Sequence, residues 1–181
     1  MAVIVEGGTD ERSDGDLILW ILVWSELIAF GMLLGAFLVM SFVHPESYSA
    51  AKLHLNGRLA GVNTLVLLGS GWLAAEADRA ASVRTRRMAL IGAACLGFAF
   101  AAIKFVEYAG ELRFAGDATF NSFFELYFII TGFHLAHVVF LGLVMLVVAR
   151  RAERSNVTLV ATLWHVIDIV WLTIFPVMYL G

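Results

Sequence analysis

The chain has a single cysteine in 181 residues, and only 15% of its residues are charged. Cys95 alone can form no internal disulfide, and its apolar surroundings make it a small packing residue. Lysine and arginine number 12 against 15 aspartates and glutamates, a net charge of −3 that argues against a nucleic-acid partner. There is no cysteine cluster, no H-E-x-x-H, no glycine-rich phosphate loop and no nucleophile elbow. Residues 1–16 are acidic and polar without a basic start, so no cleavable signal peptide is expected. Internal repeats and low-complexity stretches are missing too, which points to one domain.

What the chain has in excess is apolar surface. It is 61% hydrophobic, and its mean hydropathy is +0.87. A soluble domain of this size cannot hide that much, so the solvent must be lipid. Runs of about 17–28 apolar residues predict an all-α membrane protein, a bundle of five transmembrane helices. They cover 17–43, 57–76, 88–108, 122–149 and 157–180; residues 1–16 form a polar tail and 17–181 a single domain. Asp16 is placed to cap the first helix, which should end near His44-Pro45 because a residue before proline avoids helical geometry. Asn121-Ser122 and Ser155-Asn156 mark the starts of the fourth and fifth helices.

Five spans put the termini on opposite sides. Arg12, Arg79, Arg84, Arg86, Arg87, Arg150, Arg151 and Arg154 share the N-terminal side, against Lys52, Arg58 and Arg113 on the other. The positive-inside rule then places the N-terminus in the cytoplasm and the C-terminus in the periplasm.

Against this apolar background two stretches stand out: Thr131-Gly-Phe-His-Leu-Ala-His137 and Trp164-His-Val-Ile-Asp168. Each sets two ionisable side chains three residues apart, on one helical face. An Asp at the centre of a membrane helix costs about 2.5–3.5 kcal/mol on insertion scales, so it needs partners. At 1.5 Å per residue, Glu26, His134, His137, His165 and Asp168 occupy overlapping depths. Three readings are open. His134, His137, His165 and Asp168 could hold a metal in a membrane-embedded enzyme. Glu26 and the histidines could form a proton route. Or they could be interhelical hydrogen bonds that fix the packing, with Gly31-x-x-x-Gly35 and Gly57-x-x-x-Gly61 allowing close approach. A second group, Lys104, Glu107 and Glu125, falls near the outer surface, where an interfacial ion pair with snorkelling ends is expected.

The segments Ser25-Glu-Leu-Ile-Ala-Phe30, Val62-Asn-Thr-Leu-Val-Leu-Leu-Gly-Ser-Gly71, Glu107-Tyr108, Thr131 to Val138 with Gly142, and Trp164 to Leu172 with Tyr179 occur in that order. Together they resemble subunit III of the haem-copper oxidase superfamily, from about Asp16 to the last residue. The resemblance implies a haem-free subunit that binds no metal of its own. It would pack on haem-bearing subunit I, alongside subunit II, in a bacterial inner membrane. There it would hold phospholipid, support proton uptake and stabilise its partner. It implies no catalytic residue. Glu26 matches the family's buried carboxylate, which reacts with hydrophobic carbodiimides; these attack the protonated acid, the form lipid favours. His134, His137, His165 and Asp168 take hydrogen-bonding roles, and Asn63, Thr64, Ser70 and Gly71 a helix-packing role.

The better-known members have seven helices, and the resemblance begins at their third, so one wall of their lipid cleft has no counterpart here. Five-helix versions occur in quinol oxidases, in some cytochrome oxidases, and as the accessory protein of nitric oxide reductases. The short loops and the ending Ile174-Phe-Pro-Val-Met-Tyr-Leu180 lean towards the last, with the reductase's catalytic subunit as partner. A stand-alone metalloenzyme built on the four inner residues is the alternative.

Overall fold

The computed structural model describes residues 10–112 and 121–180, all of them in helices or short connections. The helices are α1 (Asp10–Val43), α2 (Pro45–Lys52), α3 (Gly57–Arg79), α4 (Val83–Glu111), α5 (Asn121–Ala149) and α6 (Arg154–Phe175), with a π-helical turn over Pro176–Leu180. Five segments are long and apolar enough to cross a membrane: Leu19–Val43, Gly57–Arg79, Val83–Glu111, Asn121–Ala149 and Arg154–Leu180. Hydrocarbon offers no partner to a backbone N–H or C=O, so an apolar run there must satisfy them within its own helix.

Several ends differ from the sequence expectation. The first helix begins at Asp10, so Asp16 lies inside it and does not cap it. Helix α6 begins at Arg154, which puts Ser155 and Asn156 in its first turn. The proline ends α1 as expected, but Pro45 then opens the short helix α2, where its missing N–H costs nothing at the first turn. Pro176 has no N–H to extend the α6 ladder, and the chain continues as a π turn. Asn56 is a side-chain cap that was not foreseen: its Oδ1 accepts from the Leu59 N–H at 3.1 Å. Arg113 and residues 1–9 lie outside the described residues.

Helices α3 and α4 form a hairpin across residues 80–82, and their facing residues are small. Ala60, Ala74 and Ala77 on one, and Ala89, Ala93 and Ala94 on the other, are buried and let the backbones approach closely. Helix α6 packs on α3 and α5, and α4 on α5. Helix α1 lies outside, against α5 and α6; only 17% of its apolar window is buried, against 39–50% in the other spans. Tyr48 of α2 closes one end of the bundle in an aromatic trio with Phe37 and Phe123, at centroid distances of 5.3–5.6 Å.

The close-approach glycines are not the ones the small-residue spacing suggests. A Cβ on Gly31, Gly35, Gly57 or Gly61 would meet nothing within 4 Å. A Cβ on Gly71 would fall on the Asp168 carboxylate, and one on Gly97 within 2.6 Å of the Trp164 ring. Those two positions set how near α6 comes to α3 and α4.

Candidate functional site

The ionisable side chains of the spans gather at three separate places. The most enclosed is Lys104 on α4, which is 0% exposed. Its ammonium donates to Glu107 Oε2 at 3.0 Å, Tyr127 Oη at 2.7 Å and Tyr179 Oη at 2.6 Å, so all three N–H groups are used. Tyr179 donates in turn to Glu107 Oε1 at 2.6 Å. The one O–H of Tyr127 can turn to Tyr179 Oη at 2.8 Å or to Glu107 Oε1 at 3.4 Å, and the shorter contact closes a ring of hydrogen bonds. The faces of Tyr108, Tyr127, Trp171 and Tyr179 surround the ammonium at 4.8–5.4 Å from their centroids. This is a buried cation in an aromatic cage, where the sequence suggested a snorkelling interfacial pair. Glu125 takes no part in it: its Oε1 accepts from Asn121 at 2.8 Å on the surface. The second acid of the cluster is Glu111, buried on the same face of α4. The i, i+3, i+7 spacing of Lys104, Glu107 and Glu111 was the signal that could have found it.

The second place joins α1 to α5. Glu26 Oε1 lies 3.1 Å from His137 Nε2, and both side chains are about three-quarters buried. His137 Nδ1 lies 2.8 Å from the Phe133 carbonyl oxygen, which can only accept. Nδ1 therefore carries a hydrogen, and the Nε2–Oε1 contact holds one proton, as a neutral carboxylic acid on imidazole or as carboxylate on imidazolium. A cavity of about 150 Å³ opens beside the pair, walled by Leu22, Phe140, Leu163 and Ile167.

The third place is the line between α3 and α6. Asp168 sits against Gly71, its Oδ2 3.7 Å from His165 Nδ1. Asn63, Thr64 and Ser70 stitch the neighbouring helices. Asn63 Nδ2 donates to Phe100 O at 3.2 Å and Ser70 Oγ to Ala93 O at 2.7 Å. Thr64 Oγ1 accepts from Trp171 Nε1 at 2.9 Å.

His134 belongs to none of these. It is fully buried among Phe30, Phe100 and Trp171, and neither ring nitrogen has a hydrogen-bond partner among the described residues. The set His134, His137, His165 and Asp168 is thus divided over three environments. No group of three or more His, Cys, Asp or Glu side chains is placed to hold a metal ion among the described residues. A polar ring buried without partners costs about 1–3 kcal/mol. His134→Leu is therefore expected to raise stability by about 1 kcal/mol in thermal unfolding in detergent. A clear loss would mean that the imidazole has a partner in the assembled protein.

The family model for cytochrome c oxidase subunit III matches residues 16–181, all five spans. The chain is 27% identical to cytochrome c oxidase subunit 3 of Thermostichus vulcanus over 169 residues, 86% of this chain and 82% of that one. It is 32% identical to the Corynebacterium diphtheriae subunit 3 over 150 residues, 74% of this chain and 70% of that one. It is 33% identical to a probable subunit 3 of Rickettsia prowazekii over 133 residues, 66% of this chain and under half, 46%, of that longer protein. The chain belongs to the cytochrome c oxidase subunit III family.

Proposed function

We propose that this chain is the haem-free third subunit of a bacterial haem-copper oxidoreductase, seated in the inner membrane against the catalytic subunit. The observation that carries this reading is the family match, whose range, residues 16–181, takes in every span. The chain covers a face of its partner, retains phospholipid along its apolar helices and supports proton uptake at the arginine-rich end. Arg79, Arg84, Arg86, Arg87, Arg150, Arg151 and Arg154 lie at or between helix ends on that side, and this asymmetry supports a cytoplasmic N-terminus. The same arginines attract anionic headgroups, at about 1 kcal/mol for each one near the surface. Oxygen is favoured over nitric oxide as the terminal acceptor, because the relatives quoted above carry cytochrome oxidase names.

Glu26 is the residue through which this role is easiest to probe. A hydrophobic carbodiimide attacks a carboxyl group buried within the spans, and the cavity beside Glu26 offers an apolar reagent a way to it. Glu26→Gln is expected to keep the chain in its complex while abolishing carbodiimide labelling. Labelling at the full wild-type level would assign the reaction to another acid.

The reading as a whole is tested by tagging the chain in native membranes and purifying it in mild detergent. An optical spectrum and mass spectrometry of what accompanies it then decide. A haem-containing catalytic subunit is expected, and its haem type narrows the choice between a cytochrome oxidase, a quinol oxidase and a nitric oxide reductase. A colourless chain with no partner and a stoichiometric metal would replace the proposal with an enzyme.

A further inference from the structure

The span Arg154–Leu180 is 27 residues long, and His165 is its twelfth residue. That places the imidazole about 16 Å from the Arg154 end, near mid-bilayer. Its side chain is nevertheless 42% exposed, on the outside of the bundle. Nδ1 faces inward to the buried Asp168 carboxylate, and a Cβ on Gly71 would lie 3.6 Å from that same nitrogen. The opposite edge of the ring, with Nε2, therefore points outward, and Nε2 has no partner among the described residues. The 3.7 Å separation is too long for a hydrogen bond, but the tautomer that carries its hydrogen on Nδ1, facing the carboxylate, leaves Nε2 as a hydrogen-bond acceptor.

Beside it runs a shallow groove of about 350 Å³, walled by Leu68, Trp72, Ala75, Ile169 and Leu172. Trp72 is among the most exposed aromatic residues of the chain. Acyl chains could fill such a groove but offer nothing to Nε2, and headgroups lie about 15 Å away in either direction. A helix carrying a donor side chain satisfies both the groove and the ring.

We propose that the groove between α3 and α6 receives a transmembrane helix of the catalytic subunit, which presents a hydrogen-bond donor to His165 Nε2 at mid-bilayer. The inference rests on the accessory-subunit reading and adds to it the face that docks and the residue that fixes its register. Gly71 is part of the device, since its missing side chain lets Asp168 reach the position from which it orients the imidazole.

The test uses the intact complex. A photo-crosslinking amino acid is placed at Trp72 and, separately, at Leu172, and the irradiated complex is mapped by mass spectrometry. The expected adduct joins both positions to one transmembrane helix of the haem-bearing subunit, close to a donor residue. Lipid adducts only, in a complex that still holds its haem subunit, would overturn the docking face and leave the accessory role standing. Adducts between two copies of this chain would overturn it equally. If no haem subunit accompanies the chain at all, both readings fall. His165→Phe keeps the ring's bulk and removes the acceptor; it is expected to lower the fraction of chain retained in the complex about threefold to tenfold. Undiminished retention overturns the hydrogen bond.

Discussion

Replacing Lys104 by methionine is expected to destabilise the folded chain by about 3–5 kcal/mol, the usual cost of leaving a buried charge without its counterion. The ammonium uses all three of its N–H groups, on Glu107, Tyr127 and Tyr179. Without it, Glu107 keeps only tyrosine donors, Tyr179 at 2.6 Å and Tyr127 at 3.4 Å, and Glu111, buried one turn further along α4, faces it with no intervening cation. Unfolding by sodium dodecyl sulfate in mixed micelles, followed by circular dichroism, measures the loss. The double variant Lys104→Met with Glu107→Leu should recover more than half of it, because an apolar pair of similar bulk avoids the desolvation that the charges pay on burial. Equal and small effects in the single and double variants would show that water reaches the cage.

The second large effect is steric. Gly97→Ala puts a methyl group 2.6 Å from the edge of the Trp164 ring, which is itself buried and has no room to retreat. Gly71→Ala does the same to the Asp168 carboxylate. Each is expected to cost about 1–3 kcal/mol through separation of α6 from its neighbour, and Gly97→Leu should prevent folding outright. Gly31→Ala and Gly35→Ala are the controls. Nothing lies within 4 Å of either new methyl, so stability of the isolated chain should be unchanged or rise by about 0.5–1 kcal/mol from the better helix former. The same unfolding assay separates the two classes, and equal losses at all four glycines would remove the packing argument.

The contrast between these glycines shows where sequence stops being informative. A small-x-x-x-small spacing can be read on any helix, but whether another helix lies across it depends on the bundle's cross-section, which the spacing does not encode. The five spans were legible because hydrocarbon forces any long apolar run into a helix. Helix α2 was not, since Pro45–Lys52 is short and polar and gains its place from Tyr48 against Phe37 and Phe123. The pairing of Lys104 with Glu107 followed from a three-residue spacing; the two tyrosines that hydrogen-bond the ammonium, Tyr127 and Tyr179, come from α5 and the π turn. Glu26 and His137 are 111 residues apart and were related only by depth. The three-residue spacing grouped His134 with His137 on one helical face, although successive turns of α5 send the first into an aromatic shell and the second to Glu26 of α1. The family resemblance rested on ordered motifs. The structure gives most of them a shared logic, since they are the residues where one helix touches the next.

The five tryptophans fall into two populations of very different surroundings. Trp164 and Trp171 are 1% exposed, whereas Trp20, Trp24 and Trp72 are 59–67% exposed on the outside of the chain taken alone. In the isolated chain a quencher carried on acyl chains, such as bromine, therefore dims only the second population, and docking on the α3–α6 groove would shield Trp72 from it. The first reports on the interior, because Trp171 meets Phe100 edge to face, lies beside the tilted ring of His134 and also faces the Lys104 ammonium. The chain thus carries an intrinsic optical gauge of its own assembly, in which lipid contact and core integrity are read from the same emission band.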